Sequence, residues 1–149
     1  MLFEPTKHIK LSNIEWSKEK ALNCIREIYS DTLNSIDSDK YWTVSKDEDA
    51  DTESNKTVYY GAAGTVWALD ILSTYINKKL PFDKIELINN IHKDYLLNPD
   101  TKEVVPSIFL GEVGVLLVQY KFKPSKLIED KIYHLVEKNI ENETLEALW

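Results

Sequence analysis

Apolar residues recur at helical spacing in three stretches of the chain. In "LSNIEWSKEKALNCIREIYSDTLNSI", Leu22, Ile25, Tyr29, Leu33 and Ile36 fall three and four residues apart with polar residues between them. One apolar face and one wet face is the pattern of an amphipathic helix. Ser12 stands three residues ahead of Glu15, a capping-box spacing that satisfies free backbone NH groups at a helix start, so the first helix is expected to begin there. "DKIELINNIHKDYLL" predicts a second helix of this kind, with Asp83 as its cap, Glu86 three residues on, and a stripe of Ile85, Ile88, Ile91 and Tyr95. "PSKLIEDKIYHLVEKNI" predicts a third, capped by Ser125 and striped by Ile128, Ile132, Leu135 and Ile140.

Two other apolar stretches show no polar face. After Gly61 come Ala62, Ala63, Val66, Trp67, Ala68, Leu69, Ile71 and Leu72, with Asp70 the only charge; after Gly111 come Val113, Val115, Leu116, Leu117 and Val118, with Glu112 the only charge before Lys121. Helices that are apolar all round are interior helices. A short apolar run can also be a buried strand, and "VVPSIFL" reads either way. The order wet, buried, wet, buried, wet, with short links such as "NKKLPFD" and "KFKPS", predicts an all-α fold. An incomplete α/α toroid of alternating outer amphipathic and inner apolar helices is the simplest architecture for it, ahead of a plain five-helix bundle.

The four glycines of the chain all stand at the mouths of those two apolar stretches, as Gly61 and Gly64 in "YYGAAGTVWALDIL" and as Gly111 and Gly114 in "PSIFLGEVGVLLVQYKF". The two GxxG pairs lie 50 residues apart, which marks a short internal repeat. A glycine inside a helix costs about 1 kcal/mol relative to alanine, so each pair needs a reason. In one reading the missing Cβ lets a neighbouring backbone come close. In the other, the helix N-termini offer free NH groups to an anionic group of a substrate. On that second reading Gly61, Gly64, Gly111 and Gly114, together with Asp70, are the candidate substrate-binding positions.

The chain has 149 residues, 43% hydrophobic and 29% charged, which suits a single globular domain over residues 1–149. At this length roughly 68 to 70% of the unfolded surface is buried. No apolar run reaches the roughly 20 residues that cross a bilayer, and the N-terminal stretch lacks the apolar centre of a secretion signal, so a cytoplasmic location away from membranes is expected. A net charge of −7 without a basic stripe counts against nucleic-acid binding. Residues 37–57 form an acidic, polar segment expected to be a mobile surface loop, anchored early by Tyr41 and Trp42. It contains no glycine for the sharp turn of a calcium loop.

Little else in the sequence carries chemistry. Cys24 is the single cysteine and is read as a packed or half-exposed helix residue, so neither an intrachain disulfide nor a thiolate zinc cluster is available. His8, His92 and His134 have no metal-ligand spacing, and no metal site is expected in this chain. Trp16, Trp42, Trp67 and Trp149 share no stacking interval. Asp70, in an apolar helix, must find a partner or face a cavity. Glu112, in the first turn of its helix, is explained by the favourable helix dipole.

"YYGAAGTVWALDIL", then "PSIFLGEVGVLLVQY", then the terminal "NETLEALW" resemble, in that order, the first inner-helix signatures of the lanthionine synthetase C-like (LanC-like) family, most clearly from Tyr59 to Trp149. The resemblance implies an α/α toroid of seven helical hairpins with GxxG turns at inner-helix starts. It also implies zinc-dependent addition of a peptide cysteine thiol to a dehydrated Ser or Thr. The family's zinc ligands, a cysteine and then an adjacent Cys-His pair, have no counterpart here, so zinc is expected only in a C-terminal half beyond this sequence. By the same resemblance the chain is expected to be an N-terminal portion of a longer cyclase, inactive alone. Glu146 is the nearest match to the family's proton-transferring acid ahead of the third inner helix. A peptide is the expected substrate of the parent, and self-association or pairing with the missing half is expected of this chain. The alternative is a stand-alone helical interaction domain. A carbohydrate-active toroid would need paired axial carboxylates, which Asp70 and Glu112 do not supply.

Overall fold

A computed structural model describes residues 15–37, 41–43 and 54–140. These residues form five helices, α1 (Lys18–Asn34), α2 (Ala62–Tyr75), α3 (Lys84–Leu97), α4 (Glu112–Phe122) and α5 (Lys126–Ile140), and among them no strand, only two isolated bridges. "VVPSIFL" is therefore not a strand; it is the turn that leads into α4. The fold is all-α, as the apolar periodicity predicts.

Two of the three expected caps form. Asp83 accepts hydrogen bonds from the amides of Ile85 and Glu86 at the start of α3, and Ser125 Oγ accepts from Ile128 N at the start of α5. The start of the first helix is corrected: α1 begins at Lys18, with Ser17 accepting from Lys20 N. Ser12 lies outside the described residues, and the serine nearest the apolar run, Ser17, takes the cap. Ile36 falls just past the end of α1, and Tyr29 is the only buried residue of that helix.

The core lies between α2, α3 and α4. Ala62, Ala63 and Val66 of α2, Ile88 and Ile91 of α3, and Val115 and Val118 of α4 form one buried cluster. Tyr41, Trp42, Val58, Phe82, Leu87 and Phe122 pack against its margin. Trp42 also donates its indole NH to Thr32 O at the end of α1, so the two aromatic anchors of the acidic segment hold as expected. Most of that segment lies outside the described residues. Its last residue, Thr57, is buried rather than part of a surface loop, because it is built into the turn before α2.

α4 packs against α2, α3 and α5, and α2 against α1, α3 and α4. Interior placement is met more fully by α4, where seven residues are buried. On α2 it is met only in part. Trp67, Ala68, Ile71 and Tyr75 are exposed, so this helix keeps one open flank although its sequence has no polar face. Periodicity shows which residues avoid water but not whether a neighbour stands on each side to cover them. No helix among the described residues is long and apolar enough to cross a membrane.

Candidate functional site

Both GxxG pairs do the same structural work. Neither α2 nor α4 has a side chain capping its first turn, since the cap residues are Gly61 and Gly111. Carbonyls of the preceding turn take over that task. Asn55 O, Lys56 O and Thr57 O accept from the amides of Ala62, Ala63 and Gly64; Val105 O and Ser107 O accept from Glu112 and Gly114. For a carbonyl to reach the helix that closely, no Cβ can stand in the way. A Cβ built on Gly64 would lie 2.0 Å from Val58 O, and one on Gly114 would lie 1.9 Å from Ile108 O. These five amides, part of what an anion would need, are thus bonded within the fold.

The two turns are pinned from outside. Asp100 Oδ2 accepts from Lys56 N at 2.7 Å and Thr57 N at 2.8 Å, and Lys56 Nζ stands 3.5 Å from Asp100 Oδ1. At the second turn, Tyr95 Oη accepts from Val105 N. Burial raises the Tyr95 phenol above its ordinary value, so it stays a neutral hydroxyl. The turns also meet each other. Tyr59 N donates to Phe109 O at 3.1 Å, and the two rings stand edge to face. Sequence reading missed Asp100, whose partners lie 43 and 44 residues upstream.

Beside the first turn runs an open groove of about 700 Å³ between α1 and α2. Gly61, Gly64, Thr65 and Ala68 form its α2 side, Ile28 and Thr32 its α1 side, and Tyr59, Tyr60 and Trp67 border it. Gly111 and Gly114 do not line it, so the four glycines are not gathered into one cavity. Asp70 points elsewhere. Its carboxylate meets Lys84 Nζ at 2.5 Å, and that ammonium also sits 4.6 Å above the Phe122 ring. Asp70 thus has the structural partner its apolar setting requires.

Among the described residues the most enclosed charged group is Glu112. Its side chain is 5% exposed, accepts a hydrogen bond from His92 Nε2 at 2.8 Å and pairs with Lys131 Nζ. Burial pushes its carboxyl up, but the hydrogen bonds and charges of Lys131 and His92 outweigh that and hold it below its ordinary value. The dipole explanation for Glu112 is therefore incomplete: this residue ties together α3, α4 and α5. Gln119 adds a second tie to α3 by donating to Asn89 Oδ1. No local signal in the sequence joins His92, Glu112 and Lys131, because each sits on a different helix.

The family's zinc does not fit these residues. Cys24 is exposed on α1, and among the described residues no group of three or more His, Cys, Asp or Glu could hold a metal ion. His134 is exposed on α5, while His8 and Glu146 lie outside the described residues. No family model, curated protein or solved structure matches the chain.

Proposed function

We propose that this chain forms part of the wall of an α/α toroid of the LanC-like kind, with α2 and α4 as inner helices and α1, α3 and α5 as outer ones. The activity of such a protein is closure of a peptide thioether. One observation carries the reading: two turn-to-helix units, 50 residues apart, are built from the same carbonyl-to-amide pairs, 55 to 62 and 57 to 64 against 105 to 112 and 107 to 114. In a ring of hairpins each inner helix starts in the same way, and the repeated turn before α2 and α4 supports that reading. The chain then supplies scaffold and inner surface. Thiol activation by zinc needs ligands that these residues do not provide.

The test begins with the coding sequence that follows Trp149. A glycine-containing turn there, and later a cysteine and an adjacent Cys-His pair, supports the reading; a frame without them sinks it. The zinc-loaded product of such a frame is expected to close a peptide carrying one dehydroalanine and one cysteine. Closure is read as loss of the free thiol at unchanged mass.

A stand-alone helical interaction domain is the second reading, and the groove bordered by Tyr59, Tyr60 and Trp67 favours it. Retrieval of the same protein partner by the purified chain and by its natural gene product, in the absence of zinc, would select it.

A further inference from the structure

Two rings that line the α1–α2 groove carry donors the fold does not use. Trp67 is 38% exposed and Tyr59 63%, and among the described residues neither the Trp67 indole NH nor the Tyr59 hydroxyl has a hydrogen-bond partner. Aromatic donors elsewhere in the fold are spent: Trp42 Nε1 donates to Thr32 O and Tyr29 Oη to Lys79 O. The groove's threonines are spent too. Thr32 Oγ1 donates to Ile28 O and Thr65 Oγ1 to Gly61 O, while Gly61, Gly64 and Ala68 bring no polar side chain. What an occupant meets is therefore apolar ring surface with open donors on it.

That combination selects among the shapes a protein segment can take. A helix bonds its carbonyls within itself and has none to offer such donors. A polyproline II chain makes no internal hydrogen bonds, keeps its carbonyls open and lays proline rings in aromatic-lined grooves. Charge narrows the choice further. Asp31 stands three residues after Ile28 and one before Thr32 on α1, is exposed, and has no ion-pair partner among the described residues. We infer that the α1–α2 groove is a docking site for a proline-rich segment of another protein, held in polyproline II form and flanked by a basic residue. Its proline rings pack on Tyr59, Tyr60 and Trp67, its carbonyls accept from the Trp67 NH and the Tyr59 hydroxyl, and its basic residue meets Asp31. A second copy is a poor occupant, because the five prolines of this chain stand singly. The inference rests on the interaction-domain reading and makes no use of the cyclase one.

The test titrates the whole chain into the synthetic peptide Arg-Pro-Pro-Leu-Pro-Pro-Leu-Pro-Pro, labelled at its N-terminus through a neutral spacer, and follows fluorescence anisotropy at neutral pH. Saturable binding is expected, weakened about five-fold by Trp67→Phe and by Tyr59→Phe, each of which keeps an aromatic ring and removes one donor. Asp31→Lys should weaken it by a similar factor at low salt, and added salt should narrow that difference. Leu127→Glu, at an exposed site on α5, should leave it unchanged. Circular dichroism checks that the variants fold. Absence of saturable binding overturns the inference. So does equal binding of a peptide with alanine in place of every proline, or indifference to both phenylalanine variants. The reading beneath it has its own test, so the two fail separately: a natural partner retrieved equally well by the wild type and by Trp67→Phe keeps the interaction domain and overturns the proline-rich occupant.

Discussion

Gly64 and Gly114 reverse the usual sign of a glycine-to-alanine change. In an ordinary helix position alanine gains about 1 kcal/mol over glycine. Here the new Cβ would stand at 2.0 and 1.9 Å from a backbone oxygen, where no flexible side chain can yield. Gly64→Ala and Gly114→Ala are therefore expected to lose about 1–3 kcal/mol, the range for overpacking, measured by urea unfolding. A gain would mean that the turn is free to move away. Thr57 predicts the opposite effect. It is 1% exposed and its Oγ1 has no hydrogen-bond partner among the described residues, whereas Ser107 Oγ at the equivalent position accepts from Leu110 N. Thr57→Val keeps the shape and removes the unsatisfied hydroxyl, so it should stabilise by about 1 kcal/mol. Glu112 sets an acid limit. Its carboxyl is lowered in the folded chain from an ordinary value of 4.5, so its contribution is complete above that value and is lost as pH falls through the folded one. Glu112→Gln should lower stability at pH 6 by roughly 1.5–3 kcal/mol, the range for hydrogen bonds to charged groups, and the gap from wild type should narrow below pH 4.5. Urea midpoints of both proteins across pH 6 to 3 test this, and a constant gap would remove the ionised Glu112 from the account.

Among the elements, α4 and α1 stand in contrast. α4 buries seven residues and is held by Glu112 and Gln119 to its neighbours, whereas α1 buries only Tyr29, whose hydroxyl donates to Lys79 O. Hydrogen exchange follows local opening, so the amides of α4 should exchange more slowly than those of α1. Equal protection in the two would mean that α1 is held by contacts beyond those described. This contrast also marks what could be read from residues in order. The stripes and the caps Asp83 and Ser125 are local patterns and were legible. The start of α1 was not, since Ser12 carries the capping-box spacing to Glu15 whereas Ser17, which accepts from Lys20 N, has no such partner three residues on. The open flank of α2 was not legible either, because Trp67, Ala68 and Ile71 are as apolar as their buried neighbours. The tie between His92, Glu112 and Lys131 spans three helices and carries no spacing to detect.

At the scale of the molecule, charge opposes what the open apolar surface favours. Tyr59, Tyr60, Trp67, Ile71 and Tyr75 are exposed along the first turn and α2, and such surface attracts other apolar surface without regard to fit. A net charge of −7 keeps copies apart at neutral pH, and that repulsion vanishes near the isoelectric point of about 5.0. Nonspecific association should therefore rise as pH is lowered from 7.5 toward 5.0, where Glu112 is still ionised and the fold intact. At pH 7.5 added salt should raise it too, since ions shorten the reach of repulsion to about 8 Å at physiological strength. Static light scattering follows this association. Replacing the outlying Tyr75 by lysine should lower acid-side association, because its ring is part of the exposed apolar surface. Scattering that ignores pH, salt and Tyr75 alike would show that the exposed aromatics of α2 are not the sticky surface.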